Sequence, residues 1–310
     1  VEDNQIKAQV SPFAIREGEI KTFDGKDGYV SMNQIVHKIN IGHINEIHFA
    51  ILELVNEFEF ITSRQLYQML EIKGIDPKSQ DKLNNKLDQL VKSKILTRYY
   101  FTSDEGKGIY RIYCLEKMGK YLLNSKEIEC KWQPSDNTKP VPMIKKRLAG
   151  NQTLIAYLRK VKAFDSYIVK PAITAKVAGK LFKASGGAVK LTKNSKSIQF
   201  VFEVIRREQD WQKKLVEKMR LYKDFYENYV PGDSGFSGMP QLILICEDEK
   251  HMAECFKEIV KNQVEIPQIK LYFSTDLRQN EETLENTLVE FKLVDGKYKM
   301  ENVELKLLGM

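Results

Sequence analysis

The chain has 310 residues, 42% hydrophobic and 29% charged, which is enough for two domains, each with its own core. No apolar run approaches the roughly 18–20 residues that span a bilayer, and the opening VEDNQIKAQV has no apolar signal core. A cytoplasmic protein without a membrane partner is expected. The net charge of +7 is unevenly spread, with +14 in residues 126–225 and −7 in residues 226–310. A block that basic points to a polyanion, nucleic acid before any other.

Residues 1–43 read as an N-terminal extension. In 44–58, Ile44, Ile47, Ile51, Leu54, Val55 and Phe58 fall at spacings of three and four, one apolar face of a helix. In FITSRQLYQML, Thr62 and Gln65 form a capping box for a second, short helix ending near Lys73-Gly74. Asp76-Pro77 supply the expected cap and first-turn proline of a third helix, with Leu83, Leu87, Leu90 and Val91 inward. Its other face holds Lys78, Ser79, Gln80, Lys82, Asn84, Asn85, Lys86 and Gln89, groups that can bond phosphates and base edges in a major groove. Two strand-like runs, ILTRYYF (95–101) and IYRIYCL (109–115), flank the turn TSDEGKG. Three short helices and a hairpin predict a winged helix-turn-helix over 44–125, with Arg98, Lys107 and Arg111 as phosphate contacts. Its tyrosine-rich strands read as packing or dimer surface.

Residues 126–142, rich in proline and without periodicity, read as a linker before a second domain over 143–310. There the expected order is a helix from Met143, strands at 166–173, 188–192 and 197–205, and a long helix at 208–229. A buried strand at 241–247, a helix from His251, a strand IKLYFST, a helix NEETLENTLVEF and a hairpin turning at Asp295-Gly296 follow. This predicts a mixed α/β sheet with helices on both faces. Between its strands, Lys176, Lys180, Lys183, Lys190, Lys193 and Lys196 accompany Gly179, Gly186 and Gly187. Such a stretch can admit a phosphate backbone or be a solvated flexible loop, and its spacing is not that of a P-loop.

Two segments carry a family resemblance. ILELVNEFEFITSRQLYQML…LDQLVKSKILTRYYF…GIYRIYCLEKMGKYLL (51–123) is similar to the winged helix of the replication-relaxation family of plasmid and mobile-element proteins. VFEVIRREQDWQKKLVEKMRLYKDFY (201–226) resembles that family's strand-to-helix signature, in which a helix carries Lys and Tyr four apart, matched by Lys218 and Tyr222. The likeness covers about two thirds of the chain. It implies DNA binding in plasmid replication, relaxation or transfer, and a C-terminal fold like the PD-(D/E)XK nucleases.

That fold's hydrolytic chemistry needs an aspartate on one strand and Asp/Glu-x-Lys on the next, to hold a divalent metal and place water. In FVFEVIRR, Glu203 occupies the second carboxylate position, but Ile205 stands where the lysine belongs. The upstream aspartate position falls on Gly187 and the preceding proline on Gly186. Glu203 is therefore expected to be a structural remnant, tying the sheet to the next helix through Arg206, Arg207 or Lys218. Asp165 or Glu208 would have to substitute as ligand in an active enzyme.

No other catalytic set assembles. His37, His43, His48 and His251 are scattered, and Cys114, Cys130, Cys246 and Cys255 form no CxxC pair, so reduced, buried thiols and no metal site are expected. The expected function is a non-enzymatic DNA-binding protein of a plasmid or mobile element, in replication, relaxation/transfer or transcription control. DNA contacts are expected from Lys78, Ser79, Gln80, Lys82, Asn85, Lys86, Gln89, Arg98, Lys107, Arg111, Lys190, Lys193, Lys196, Arg206 and Arg207. Partners would be double-stranded DNA, other plasmid-encoded proteins and a second copy of the chain. The alternatives are a metal-dependent nuclease, in which Mg²⁺ or Mn²⁺ would be the only cofactor and Glu203 the catalytic candidate, and a protein-interaction module of a larger assembly.

Overall fold

A computed structural model describes residues 11–103, 106–161, 164–193, 196–281, 287–294 and 297–303, without the side chains of 106–109, 193, 196, 281 and 297. The expected turns at Asp104-Glu105 and Asp295-Gly296 lie outside the described residues. The chain divides into two compact units, Ile15–Asn151 and Val1–Ala14 with Gln152–Met310.

The N-terminal unit starts with β1 (Ile20–Phe23) and α1 (Met32–Asn40), then α2 (Glu46–Phe58), β2 (Ile61–Thr62), α3 (Ser63–Ile72) and α4 (Gln80–Lys92). The hairpin β3 (Leu96–Ser103) and β4 (Gly106–Leu115) follows, then α5 (Lys117–Ser125). β1, β3, β4 and β2 form one antiparallel sheet in that order. The expected capping box is present: Gln65 N–H donates to Thr62 Oγ1 at 3.2 Å and Thr62 N–H to Gln65 Oε1 at 3.1 Å. Leu52, Val55, Phe58, Leu66, Met69, Leu83, Leu87, Leu90 and Ile112 make a buried core, which stabilises the short helices more than their propensities do.

The 126–142 stretch is packed. Pro134–Thr138 form a 3₁₀ turn, and buried Asn137 donates to the Leu115 carbonyl at 2.8 Å and accepts from Trp132 Nε1 at 3.1 Å. The division between units falls farther on, between Asn151 and Gln152, inside α6 (Val141–Lys160).

The C-terminal unit contains β5 (Phe164–Ile168), β6 (Ala172–Ala175), β7 (Lys180–Lys183), β8 (Ala188–Lys193) and β9 (Lys196–Val204). α7 (Trp211–Glu227), β10 (Gln241–Cys246), α8 (Glu249–Lys261), β11 (Leu271–Thr275), α9 (Asp276–Glu281), β12 (Leu288–Val294) and β13 (Lys297–Val303) complete it. The main sheet runs β13-β12-β11-β10-β9-β8-β5. Its β9-β10-β11 centre is parallel, with α7 and α8 as the crossovers, and the flanking pairs are antiparallel. The mixed α/β sheet expected from sequence is thus present, with two changes. The lysine-rich stretch contains the β6–β7 hairpin, so it is not simply a loop. The segment NEETLENTLVEF is not one helix, because its last part, from Leu288, pairs as a strand with β13.

Candidate functional site

The first candidate surface is α4. Lys78 adopts a left-handed backbone (φ 68°) with its N–H on Asp76 Oδ1 at 2.7 Å. The helix therefore begins after Ser79, whose Oγ accepts the Lys82 N–H at 3.2 Å. The expected cap at Asp76-Pro77 is corrected: Asp76 closes the preceding turn. Leu83, Leu87, Leu90 and Val91 are buried, while Lys82, Asn85 and Gln89 are exposed and Ser79, Gln80 and Lys86 half-buried. Among the described residues Lys82, Asn85 and Lys86 have no side-chain bond or ion pair. Lys78 pairs with Asp76 at 2.8 Å, Gln80 bonds Asn84 at 3.2 Å, and Gln89 Oε1 bonds His48 Nε2 at 3.0 Å.

On the hairpin, Arg98 is largely covered and pairs with Asp88 and with Asp24, the latter at 2.9 Å. That engagement argues against the phosphate contact expected of it. Arg111 shares Asp24 at 3.0 Å and remains half exposed. The Lys107 side chain lies outside the described residues.

The second site is built around Glu203 of β9. Phe200 and Phe202 meet Tyr157 of α6 at ring separations of 6.2 and 4.6 Å. Val201 and Ile205 join the core of Leu215, Met219 and Tyr222 of α7. The alternation of a strand covered on both faces thus sends Glu203 under α7. It is fully buried, and its carboxylate accepts from Ser185 Oγ at 2.7 Å, from Tyr222 Oη at 2.8 Å and, at longer range, from the Ser185 N–H at 3.4 Å. Lys218 Nζ stands 3.6 Å from it and also donates to the Lys183 carbonyl at 2.7 Å, above the Phe182 ring. Burial and the Glu203 charge push the Tyr222 hydroxyl well above the usual tyrosine range, so it stays a donor. Of the three cations offered as partners for Glu203, Lys218 stands beside it, while Arg206 and Arg207 engage other carboxylates.

Arg206 is buried and takes both Asp276 oxygens at 2.7 and 2.8 Å, besides the Ile205 carbonyl at 2.8 Å. Arg207 binds Asp248 and Glu254, and Glu247 at 3.4 Å. Both were expected to contact DNA; in this arrangement internal carboxylates engage both guanidiniums, Arg206 wholly buried and Arg207 partly exposed. Lys190 is half exposed on β8, and the Lys193 and Lys196 side chains lie outside the described residues.

Gly187 has φ +86°, and a Cβ at Gly186 would lie 2.7 Å from Phe202 Cβ and 2.8 Å from its carbonyl oxygen. Both glycines exchange backbone bonds with Phe202 at 2.9 Å. The position where the PD-(D/E)XK fold carries its aspartate is therefore strained for a side chain and its neighbour closed to one. Asp165 is exposed on β5, Glu208 is held by Lys214 at 2.7 Å, and among the described residues no group of three His, Cys, Asp or Glu side chains includes Glu203.

The four cysteines are free and buried, as expected. Sequence reading missed that Cys246, His251 and Cys255 converge. The signal was a C-x4-H-x3-C spacing running from a strand end into a helix, which a search for CxxC pairs passes over.

Among the described residues no helix is long and apolar enough to cross a membrane. No curated protein matches the chain. The replication-relaxation family model matches residues 52–236, a span that starts in α2 and ends just before β10, and so takes in α4, the hairpin, Glu203, Lys218 and Tyr222. With more than half of its length matched, the chain belongs to the replication-relaxation family.

Proposed function

We propose that this protein binds duplex DNA without cutting it, in a replication-related process of a plasmid or mobile element. The order α2-β2-α3-α4-β3-β4 is read as a winged helix with α4 as the groove-facing helix. The observation that carries the reading is the outer face of α4, where Lys82, Asn85 and Lys86 stand with no internal partner among the described residues. Amides and lysines on a helix of this kind suit base edges and phosphates.

The C-terminal unit is read as a PD-(D/E)XK-like sheet adapted to holding DNA. Residues 152–225 carry a net +11, and Lys180, Lys183, Lys213 and Arg220 are exposed there. The nuclease alternative is disfavoured because Ser185, Tyr222 and Lys218 already occupy the Glu203 carboxylate.

The test is a binding titration on duplex DNA from the gene's own neighbourhood. Affinity should fall steeply between about 50 and 200 mM salt, because each neutralised phosphate releases counterions. Lys82→Glu and Lys86→Glu should each weaken binding and flatten the salt slope. No binding at the low salt, or binding indifferent to both substitutions, defeats the assignment to α4. Cleavage with Mg²⁺ or Mn²⁺ that disappears in Glu203→Ala establishes the nuclease instead.

A further inference from the structure

At the end of β10 and the first turns of α8, two thiols and an imidazole meet away from the protein surface. Cys246, His251 and Cys255 are fully buried, and one donor atom from each lies within 4.8 Å of the others. The local fold produces this directly. Cys246 is the last residue of β10, Asp248 accepts the His251 N–H at 2.7 Å to start α8, and positions 251 and 255 then share one helix face. Two details point to a ligand. The sulfurs stand 3.8 Å apart, close to the edge of a tetrahedron whose metal–sulfur bonds are about 2.3 Å. His251 Nε2 is buried and has no hydrogen-bond partner among the described residues, a condition buried polar atoms rarely keep.

We propose that Cys246, His251 and Cys255 bind a thiophilic d¹⁰ cation, Zn²⁺ or Cu⁺. Two thiolates and an imidazole select such ions over Mg²⁺ and Ca²⁺, which take oxygen ligands. Three protein donors complete a trigonal ion and leave a tetrahedral one open to a single further ligand.

The charge balances with Zn²⁺. Two S–H bonds break, two protons leave to solvent, and two metal–sulfur bonds form, so a neutral group replaces a neutral group and no electrons are transferred. Burial first, and then the neighbouring Cys246 thiol, push the Cys255 thiol well above its usual range, an effect that Arg207 offsets only in part, so the metal itself has to displace the proton. The imidazole makes one exchange. Nδ1 now accepts the Glu247 N–H at 3.3 Å, so the neutral ring keeps its proton on Nε2. Metal on Nε2 moves that proton to Nδ1, and metal on Nδ1 displaces the Glu247 contact. Either way the long Glu247 hydrogen bond is lost, as is the weak thiol contact from Cys246 to Cys255 once both protons leave, and a metal–nitrogen and two metal–sulfur bonds are gained. Since the ligands are wholly enclosed, the ion enters as the unit folds.

The experiment uses the full chain, unfolded and refolded under reducing, chelator-treated conditions with Zn²⁺, Cu⁺ or Mg²⁺ alone, then desalted for metal analysis. One ion per chain is expected for Zn²⁺ or Cu⁺ and none for Mg²⁺, the two positive arms deciding which ion the site prefers. Co²⁺ in place of Zn²⁺ should give thiolate-to-metal charge-transfer absorption. That absorption should disappear in Cys255→Ser and His251→Gln and persist in Cys114→Ser, whose thiol lies in the other unit. Retention of less than about a tenth of an equivalent of both thiophilic ions by the native chain overturns the proposal, and needs no variant to fold. A Co²⁺ spectrum unchanged by Cys255→Ser overturns it as well.

Discussion

Removing the Glu203 carboxylate tests the reading of this group as structural. In Glu203→Ala the Tyr222 hydroxyl, wholly buried, loses the carboxylate it donates to at 2.8 Å, a loss of about 1–3 kcal/mol. The missing methylenes and carboxylate leave a cavity worth a further ~1–2 kcal/mol. Lys218 adds little, because its side chain is 22% exposed and retains the Lys183 carbonyl. Ser185 still accepts the Val204 N–H at 2.8 Å, and relief of the buried charge offsets part of the loss. The net expectation is a loss of about 2–4 kcal/mol for Glu203→Ala and about 1–2 kcal/mol for Glu203→Gln, which preserves volume and one acceptor. Glu203→Gln combined with Lys218→Met should cost less than the sum of the two single changes. Urea unfolding followed by Trp211 fluorescence in a Trp132→Phe background reports on this unit alone. With a slope of about 2–3 kcal/mol/M, the Glu203→Ala midpoint should drop by roughly 1 M. An unchanged midpoint, together with loss of a metal-dependent cleavage activity, refutes the reasoning and makes the carboxylate catalytic.

Gly186→Ala should destabilise the C-terminal unit by about 1–3 kcal/mol, since its Cβ meets Phe202 backbone and Cβ atoms that cannot yield, and a thermal melt reads it. Gly187→Asp, with φ +86°, should likewise lower the melting point and create no Mg²⁺-dependent cleavage of plasmid DNA. Arg206→Met leaves Asp276 a buried carboxylate without its bidentate partner and should cost about 3–5 kcal/mol by urea titration. His48 titrates below its usual range, through burial first and Lys86 as a smaller contribution. The unfolded chain therefore takes up the proton first. His48's contribution to stability is full above pH about 6.5 and declines as pH falls below it, a slope that His48→Gln should reduce in urea titrations across that range.

What could be read from sequence was what short-range chemistry decides. The Thr62–Gln65 capping box involves residues three apart, and both of its bonds are present. The start of α4 was missed by a few residues because Lys78 takes a left-handed conformation, which nothing in Asp-Pro-Lys-Ser announces. β1 was invisible: Ile20–Phe23 is a short, partly exposed run whose partner β3 lies about eighty residues on. Yet β1 leads directly to Asp24, where Arg98 and Arg111 converge, so missing the strand also hid the acidic partner of both arginines. Leu288–Phe291 was read as the end of a helix because the preceding acidic residues have helical character, while its pairing with β13 extends the expected hairpin toward the N-terminus. Arg206 was offered to DNA because its partner Asp276 lies seventy residues away. Lys218 and Tyr222 were found only through the family signature, since spacing alone says nothing of a strand meeting a helix across a sheet face.

The state of Glu203 bears on how the unit's positive charge can act. Hydrolysis by a divalent ion needs several oxygen ligands with negative charge to spare. Here a single carboxylate faces one ammonium and two hydroxyls, so a cation arriving at Glu203 would have to displace Lys218 and strip two hydrogen bonds in a closed site. Gly186 and Gly187 leave no room opposite it for a second carboxylate. Lys218, Lys176 and Lys214 are each matched by a carboxylate, whereas Lys180, Lys183, Lys213 and Arg220 are exposed on β7 and α7. The internal acids thus neutralise the cations that hold the fold together and leave the exposed ones to set the field outside. On the reading proposed above, a phosphate backbone would meet that field of exposed cations, while the Glu203 carboxylate is already engaged by Lys218, Ser185 and Tyr222.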